Sequence, residues 1–209
     1  MWGLIAVLGL GLALASCSGD DDSDDGGGTT DDDTEADADA GGDVAEPELR
    51  DELLEMMDAD QAERTGEVGV NNDGERTDRL REIVDEHGWP TFELVGRDGA
   101  TAAWVIAQHS DQDVEFQEEA LGLMQAAAED DQVDLSELAY LEDRVAVNNE
   151  QPQRYGTQVR CGPDGAAPAT PLVDPEGVDD LRAEVDLDPL ADYLAEFEEG
   201  CAAEVPAAP

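Results

Sequence analysis

From residue 47 onward the apolar residues recur at spacings of three and four, the pattern of helices that each bury one face. Leu49, Leu53, Met56 and Met57 trace a first helix that Pro47 opens, since proline suits an initial helical position, and that runs to Arg64. A polar gap from Gly66 to Gly74 precedes a second helix marked by Leu80, Ile83 and Val84. His87-Gly88 should end it, because glycine takes the left-handed cap conformation cheaply. Trp89-Pro90 then imposes an extended link. The most apolar stretch, Ala100 to His109, reads as a buried helix; a strand is the alternative for so short a run, but its alanines favour helix. Asp113 caps a helix from Val114 to Glu129 that carries Phe116, Leu121 and Met124. Asp134-Leu135-Ser136-Glu137 has capping-box spacing and opens a helix with Leu138, Leu141 and Val145. Asp174-Pro175 and Asp188-Pro189 start two more, and Gly200 ends the last. With no repeating unit along the chain, the expectation is an all-α fold: a compact single domain of about six to seven helices. It spans residues 47–200, with 201–209 as a C-terminal tail.

The helical pattern fails before residue 47. Between Ser18 and Glu46 the one large apolar side chain is Val44, against 13 acidic residues and no basic one. Such a stretch cannot bury enough apolar area to offset the entropy of ordering it, so residues 17–46 read as a disordered acidic tether. Met1 to Ala15 is apolar, the length of a signal-peptide core and short for a membrane span. Its end, Leu14-Ala15-Ser16-Cys17, resembles the bacterial lipoprotein signal, in which small residues precede a cysteine that is lipidated before cleavage. The resemblance implies a signal peptide over 1–16, lipidation at Cys17 and a place in the cell envelope, lipid-anchored on the extracytoplasmic side of a membrane. An ordinary transmembrane anchor through Gly19 is the competing reading. Outside the cytoplasm the two leftover cysteines, Cys161 and Cys201, are most simply a disulfide.

Charge narrows the partners. The chain carries 55 acidic residues against 10 arginines and no lysine, a net charge of −45. Such a surface repels nucleic acid and anionic headgroups at long range, so no nucleic-acid partner is expected. Adaptation to a saline habitat and a cation-buffering surface both remain open.

No nucleophile elbow, phosphate loop, dinucleotide fingerprint or paired Cys-x-x-Cys appears, and two histidines exclude a multi-histidine zinc site. No cofactor or metal is expected. Asp111-x-Asp113-x-Glu115 begins like a calcium loop, but Phe116 and Gly122 stand where that loop needs glycine and glutamate. What remains is polar residues beside apolar ones. These are Asp60, Gln61 and Arg64 at the end of the first helix, His109 after the apolar run, Asp143-Arg144, and the loop Gln153-Arg154-Tyr155-Gly156-Thr157-Gln158.

At these residues the chain resembles the uncharacterised bacterial family known as domain of unknown function 6624. The match rests on Asp60-Gln61-x-x-Arg64, Gly88-Trp89-Pro90, Ala103-Trp104-Val105-Ile106 leading to His109, Phe116-Gln117, Asp143-Arg144-Val145 and Gln153-x-Tyr155-Gly156-Thr157-Gln158. It implies a common fold and no established activity, so function has to be argued from side chains.

His109 is the candidate acid or base, with Asp60 or Asp143 orienting its ring and Arg64 or Arg144 holding an anionic group. Alternatively it only ends a helix, where an imidazolium suits the dipole. Asp143-Arg144 is either a buried ion pair or half of an anion site. Tyr155 either lines a pocket or anchors its loop by burying its ring. Trp89 and Trp104 read as core. The leading expectation is a domain that binds a small or peptidic ligand in a polar pocket lined by Asp60, Gln61, Arg64, Arg144, Gln153, Tyr155 and Gln158, with His109 and Asp143 as the catalytic candidates. A hydrolase using His109 is the first alternative. A purely structural or protein-interaction module of the envelope is the second.

Overall fold

The computed structural model describes residues 44–66, 69 and 71–204. The expected signal peptide, Cys17 and nearly all of the expected tether lie outside the described residues. Among the described residues eight helices and one hairpin follow in order: α1 (Pro47–Arg64), α2 (Asp73–His87), α3 (Phe92–Gln108), α4 (Val114–Ala128), α5 (Leu135–Asn148), β1 (Val159–Gly162), β2 (Gly165–Pro168), α6 (Val178–Ala183), α7 (Leu190–Ala195) and α8 (Glu198–Glu204). The fold is all-α, with a two-stranded antiparallel sheet as its one addition among the described residues.

The most apolar helix is the central one. Residues Ala102 to Ala107 of α3 are all buried, and α1, α2, α4 and α5 each pack against this helix. Leu53 of α1, Leu80 and Ile83 of α2, Phe116 and Met124 of α4 and Leu141 of α5 close the core around it. Capping follows the sequence at several ends. Asp113 accepts from the Phe116 N–H at 3.1 Å, Asp134 from the Ser136 N–H at 2.8 Å, and Gly88 closes α2 at φ +76°.

Four details depart from the sequence reading. The helix expected from Ala100 begins at Phe92, capped by Thr91, and breaks at Gly96, whose φ of +75° suits glycine. The stretch after Gln158 is a hairpin, with Val159 opposite Pro168 and Gly162 opposite Gly165. Its turn, Gly162-Pro163-Asp164-Gly165, carries a Pro-Asp-Gly turn signature that the helical reading passed over. Asp174 caps a turn through the N–H groups of Glu176 and Gly177, so α6 starts later, at Val178. Gly200 does not end the last helix. Instead α8 runs on to Glu204, and it carries Cys201, which is disulfide-bonded to Cys161 of β1 with a Cα–Cα distance of 5.0 Å. At the other end, the Ala45 and Glu46 N–H groups donate to the Glu93 and Leu94 carbonyls at 3.2 and 2.8 Å, so the last tether residues dock on the start of α3.

Candidate functional site

The residues singled out by sequence gather into two clusters, not one. The first joins the end of α1 to the end of α3. Leu49 and Leu53 face the core, and the same helix periodicity carries Asp60 inward, where it is fully buried. His109, one residue past α3, meets it: Nδ1 lies 2.8 Å from Asp60 Oδ2. Arg64, one turn beyond Asp60, donates from Nε to both Asp60 oxygens at 3.1 and 3.2 Å, and its Nε also lies 2.9 Å from His109 Nδ1. Gln61 adds a bond to Asp60 at 2.8 Å, and Arg76 of α2 approaches Asp60 at 3.6 Å while binding Glu63 and Asp73 at 2.7 Å.

These contacts hold the imidazole through Nδ1. Burial alone would raise the Asp60 carboxyl, but the bonds from His109 and Arg64 outweigh it and hold the group below the usual carboxylate range. Nδ1 is engaged from two sides, by the Asp60 carboxylate and by the Arg64 Nε–H. That leaves Nε2 as the ring nitrogen still to be satisfied. The side chain is 2% exposed, and Nε2 is buried with no hydrogen-bond partner. A buried polar atom without a partner is uncommon and calls for an explanation. Arg64, 32% exposed, is where the cluster reaches solvent.

The second cluster ties α5 to the Tyr-Gly-Thr-Gln loop, and it corrects the pairing of Asp143 with Arg144. Asp143 is not paired with Arg144, because adjacent helical residues point in different directions. Its carboxylate instead accepts from the backbone N–H groups of Arg154 at 2.7 Å, Tyr155 at 3.2 Å and Thr157 at 2.8 Å, and from the Thr157 hydroxyl at 3.0 Å. Burial pushes this carboxyl above the usual range against the pull of those four donors. Both oxygens are committed to shaping the loop, which gives Asp143 an architectural role. Arg144 forks onto Asp111, with Nε and NH2 at 2.8 and 2.5 Å, and donates to Gln158 at 3.0 Å. Asp111 is the partner that sequence reasoning missed, having weighed it only as a calcium ligand.

Within the loop, Gln153 and Gln158 brace each other. The Gln158 N–H donates to Gln153 Oε1 at 2.8 Å, and Gln153 Nε2 donates to the Gln158 carbonyl at 3.0 Å. Tyr155 is buried, and its carbonyl accepts from Arg182, a residue that nothing in the sequence marked, at 2.8 Å.

A cavity of about 680 Å³ lies elsewhere, between α3, α5, the hairpin and the C-terminal helices. None of the expected ligand-binding residues lines it, although Trp104, read as core, is both buried and part of its wall. Among the described residues no helix is long and apolar enough to cross a membrane, and no group of three His, Cys, Asp or Glu is placed to hold a metal ion.

Comparison with known proteins supplies one relation. The model of a family of unknown function, DUF6624, matches residues 47–205, and the chain belongs to that family. Neither the curated proteins nor the solved structures contain a match.

Proposed function

We propose that this DUF6624 member is an envelope lipoprotein, held to a membrane through lipid on Cys17, whose helical domain binds a small or peptidic ligand at the Asp60–Arg64–His109 cluster. The observation that carries the reading is His109 Nε2: a buried ring nitrogen with no hydrogen-bond partner, on an imidazole already oriented by Asp60. A polar group of the ligand would complete its hydrogen bonding. Arg64, at the solvent edge, would meet an acidic group of the same ligand. Because the His109 side chain is nearly sealed, access requires neighbouring side chains to shift.

The test is a thermal-shift screen of di- and tripeptides and small carboxylates against the wild type, His109→Gln and Arg64→Ala. The proposal expects at least one compound to raise the wild-type melting temperature and to lose that effect in both variants. If no compound does so and the variants merely melt earlier, the cluster is structural. The hydrolase alternative draws on the same Asp60–His109 bond, since a carboxylate-oriented imidazole with a free Nε2 is the arrangement of a general base. It expects slow turnover of activated ester or amide probes that His109→Gln abolishes. Ligand binding without turnover excludes it. Lipidation is checked separately, by mass spectrometry of the mature amino terminus and by its loss in Cys17→Ala.

A further inference from the structure

The 680 Å³ cavity is separate from both polar clusters, and its walls have a consistent chemistry. Trp104, Tyr140, Tyr193 and Phe197 line it as a chain of rings in edge contact, with centroids 6.1, 6.2 and 5.0 Å apart in turn. Two of these rings come from α3 and α5 and two from the C-terminal segment, which the Cys161–Cys201 disulfide holds at the rim.

Five carboxylate residues share the lining, with Arg182 as the single lining arginine. That arginine is already engaged. It donates to the Tyr155 and Asp188 carbonyls at 2.8 and 2.5 Å and lies over the Tyr193 ring at 4.8 Å. Glu137, in the first turn of α5, accepts the Thr101 hydroxyl at 2.6 Å. Trp104 adds an unmet donor, for its indole N–H is buried without a partner and its side chain forms part of the wall.

We infer that this cavity binds an organic ammonium compound, with the cation on Glu137, an apolar body between the aromatic rings and a hydrogen-bond acceptor for the Trp104 indole. Aromatic faces attract ammonium groups through their quadrupole, and the attraction grows as water is excluded. An anionic ligand would meet five carboxylate residues, with the already engaged Arg182 as the one arginine in the lining. The state of Glu137 agrees. Burial pushes its carboxyl up to about 7, Asp134 adds to that, and the Thr101 hydroxyl and Arg97 oppose it. A bound ammonium would supply the counter-charge. Asp186, Asp188 and Glu196 line the same space from the C-terminal side, with Arg182, Tyr140 and Tyr193, whose hydroxyl donates to the Thr157 carbonyl at 2.9 Å.

Three probes of one shape separate charge from fit: 2-phenoxyethylamine, 2-phenoxyethanol and phenoxyacetate. Calorimetric titration into the full chain should use about 0.5 M salt, so that loose attraction of amines to a strongly acidic protein is screened. At pH 8 the amine should bind one to one, the alcohol about tenfold more weakly or less, and the acid not at all. Glu137→Gln should abolish the preference for amine over alcohol, and lowering the pH to 5.5 should weaken amine binding to the wild type. Phe197→Leu should weaken amine and alcohol together, which keeps the test alive if the Glu137 variant misfolds. Equal binding of all three probes, a preference for the acid, many-site or undetectable amine binding, or an unchanged preference in Glu137→Gln overturns the inference. None of these results bears on the His109 cluster.

Discussion

Asp143 and Glu137 sit six residues apart on one helix, and burial raises both carboxyls, yet the partners each finds give them different roles. Asp143 meets backbone N–H groups of the 153–158 loop, so removing its side chain strands several buried donors at once. Asp143→Ala should lose about 3–5 kcal/mol in urea denaturation, the scale expected when two or three buried groups lose their partner together. Glu137 meets a hydroxyl, and its carboxyl sits at about 7 against an ordinary value of 4.5. Between those two values the folded chain holds more protons than the unfolded one, so Glu137 costs stability as pH rises through that window. Glu137→Gln should therefore be more stable than wild type at pH 8, by about 1–3 kcal/mol, with the difference shrinking toward zero by pH 4.5. Parallel unfolding curves at the two pH values check this, and an advantage that does not change with pH refutes it.

At the scale of elements, the C-terminal third is held by a few cross-links in place of a long apolar stripe. No residue of α7 is buried, and the hairpin reaches α8 through one disulfide and through the Ala166 N–H to Glu198 contact. Reduction of Cys161–Cys201, or the double Cys→Ser variant, should cost about 2–4 kcal/mol, and hydrogen exchange should locate the loss in the hairpin and α8. The loop before the hairpin is tight for a different reason. Gly156 has a φ of +71°, and a β-carbon there would lie 3.0 Å from side-chain carbons of both Leu172 and Leu190. Gly156→Ala meets backbone strain and crowding together and should lower stability by about 1–3 kcal/mol in thermal or urea unfolding.

For the whole molecule, the dominant quantity is the net charge of −45. Self-repulsion on that scale weakens the compact state at low ionic strength and is screened as the Debye length falls from roughly 10 Å at 0.1 M to 3 Å at 1 M salt. Raising sodium chloride over that range should lift the melting temperature by about 5–10 °C. Calcium chloride at matched ionic strength separates the two readings of the acidic surface. An equal rise means screening, and a larger rise with calcium means bound cations.

Helix identity was legible because it is written locally. The stripe Leu49-Leu53-Met56, the caps Asp113 and Asp134 and the stop at Gly88 act within three or four residues of chain, and α1, α2, α4 and α5 begin and end close to where those signals lie. The local signals misled where two of them competed. The Pro-Asp-Gly turn of the hairpin was lost among helix caps, and the Gly200 stop was overridden by a helix tied down at Cys201. The site was legible only as a set of residue types. Asp60, Arg64 and His109 were marked together, yet the choice of Asp60 over Asp143 as the partner of His109 depends on helices packing residues 49 positions apart. The same holds for Asp111 finding Arg144 across 33 positions. The aromatic cavity had no signal along the chain at all, because its rings come from three separate segments, and side chains so far apart in sequence become one surface only when the helices that carry them are packed.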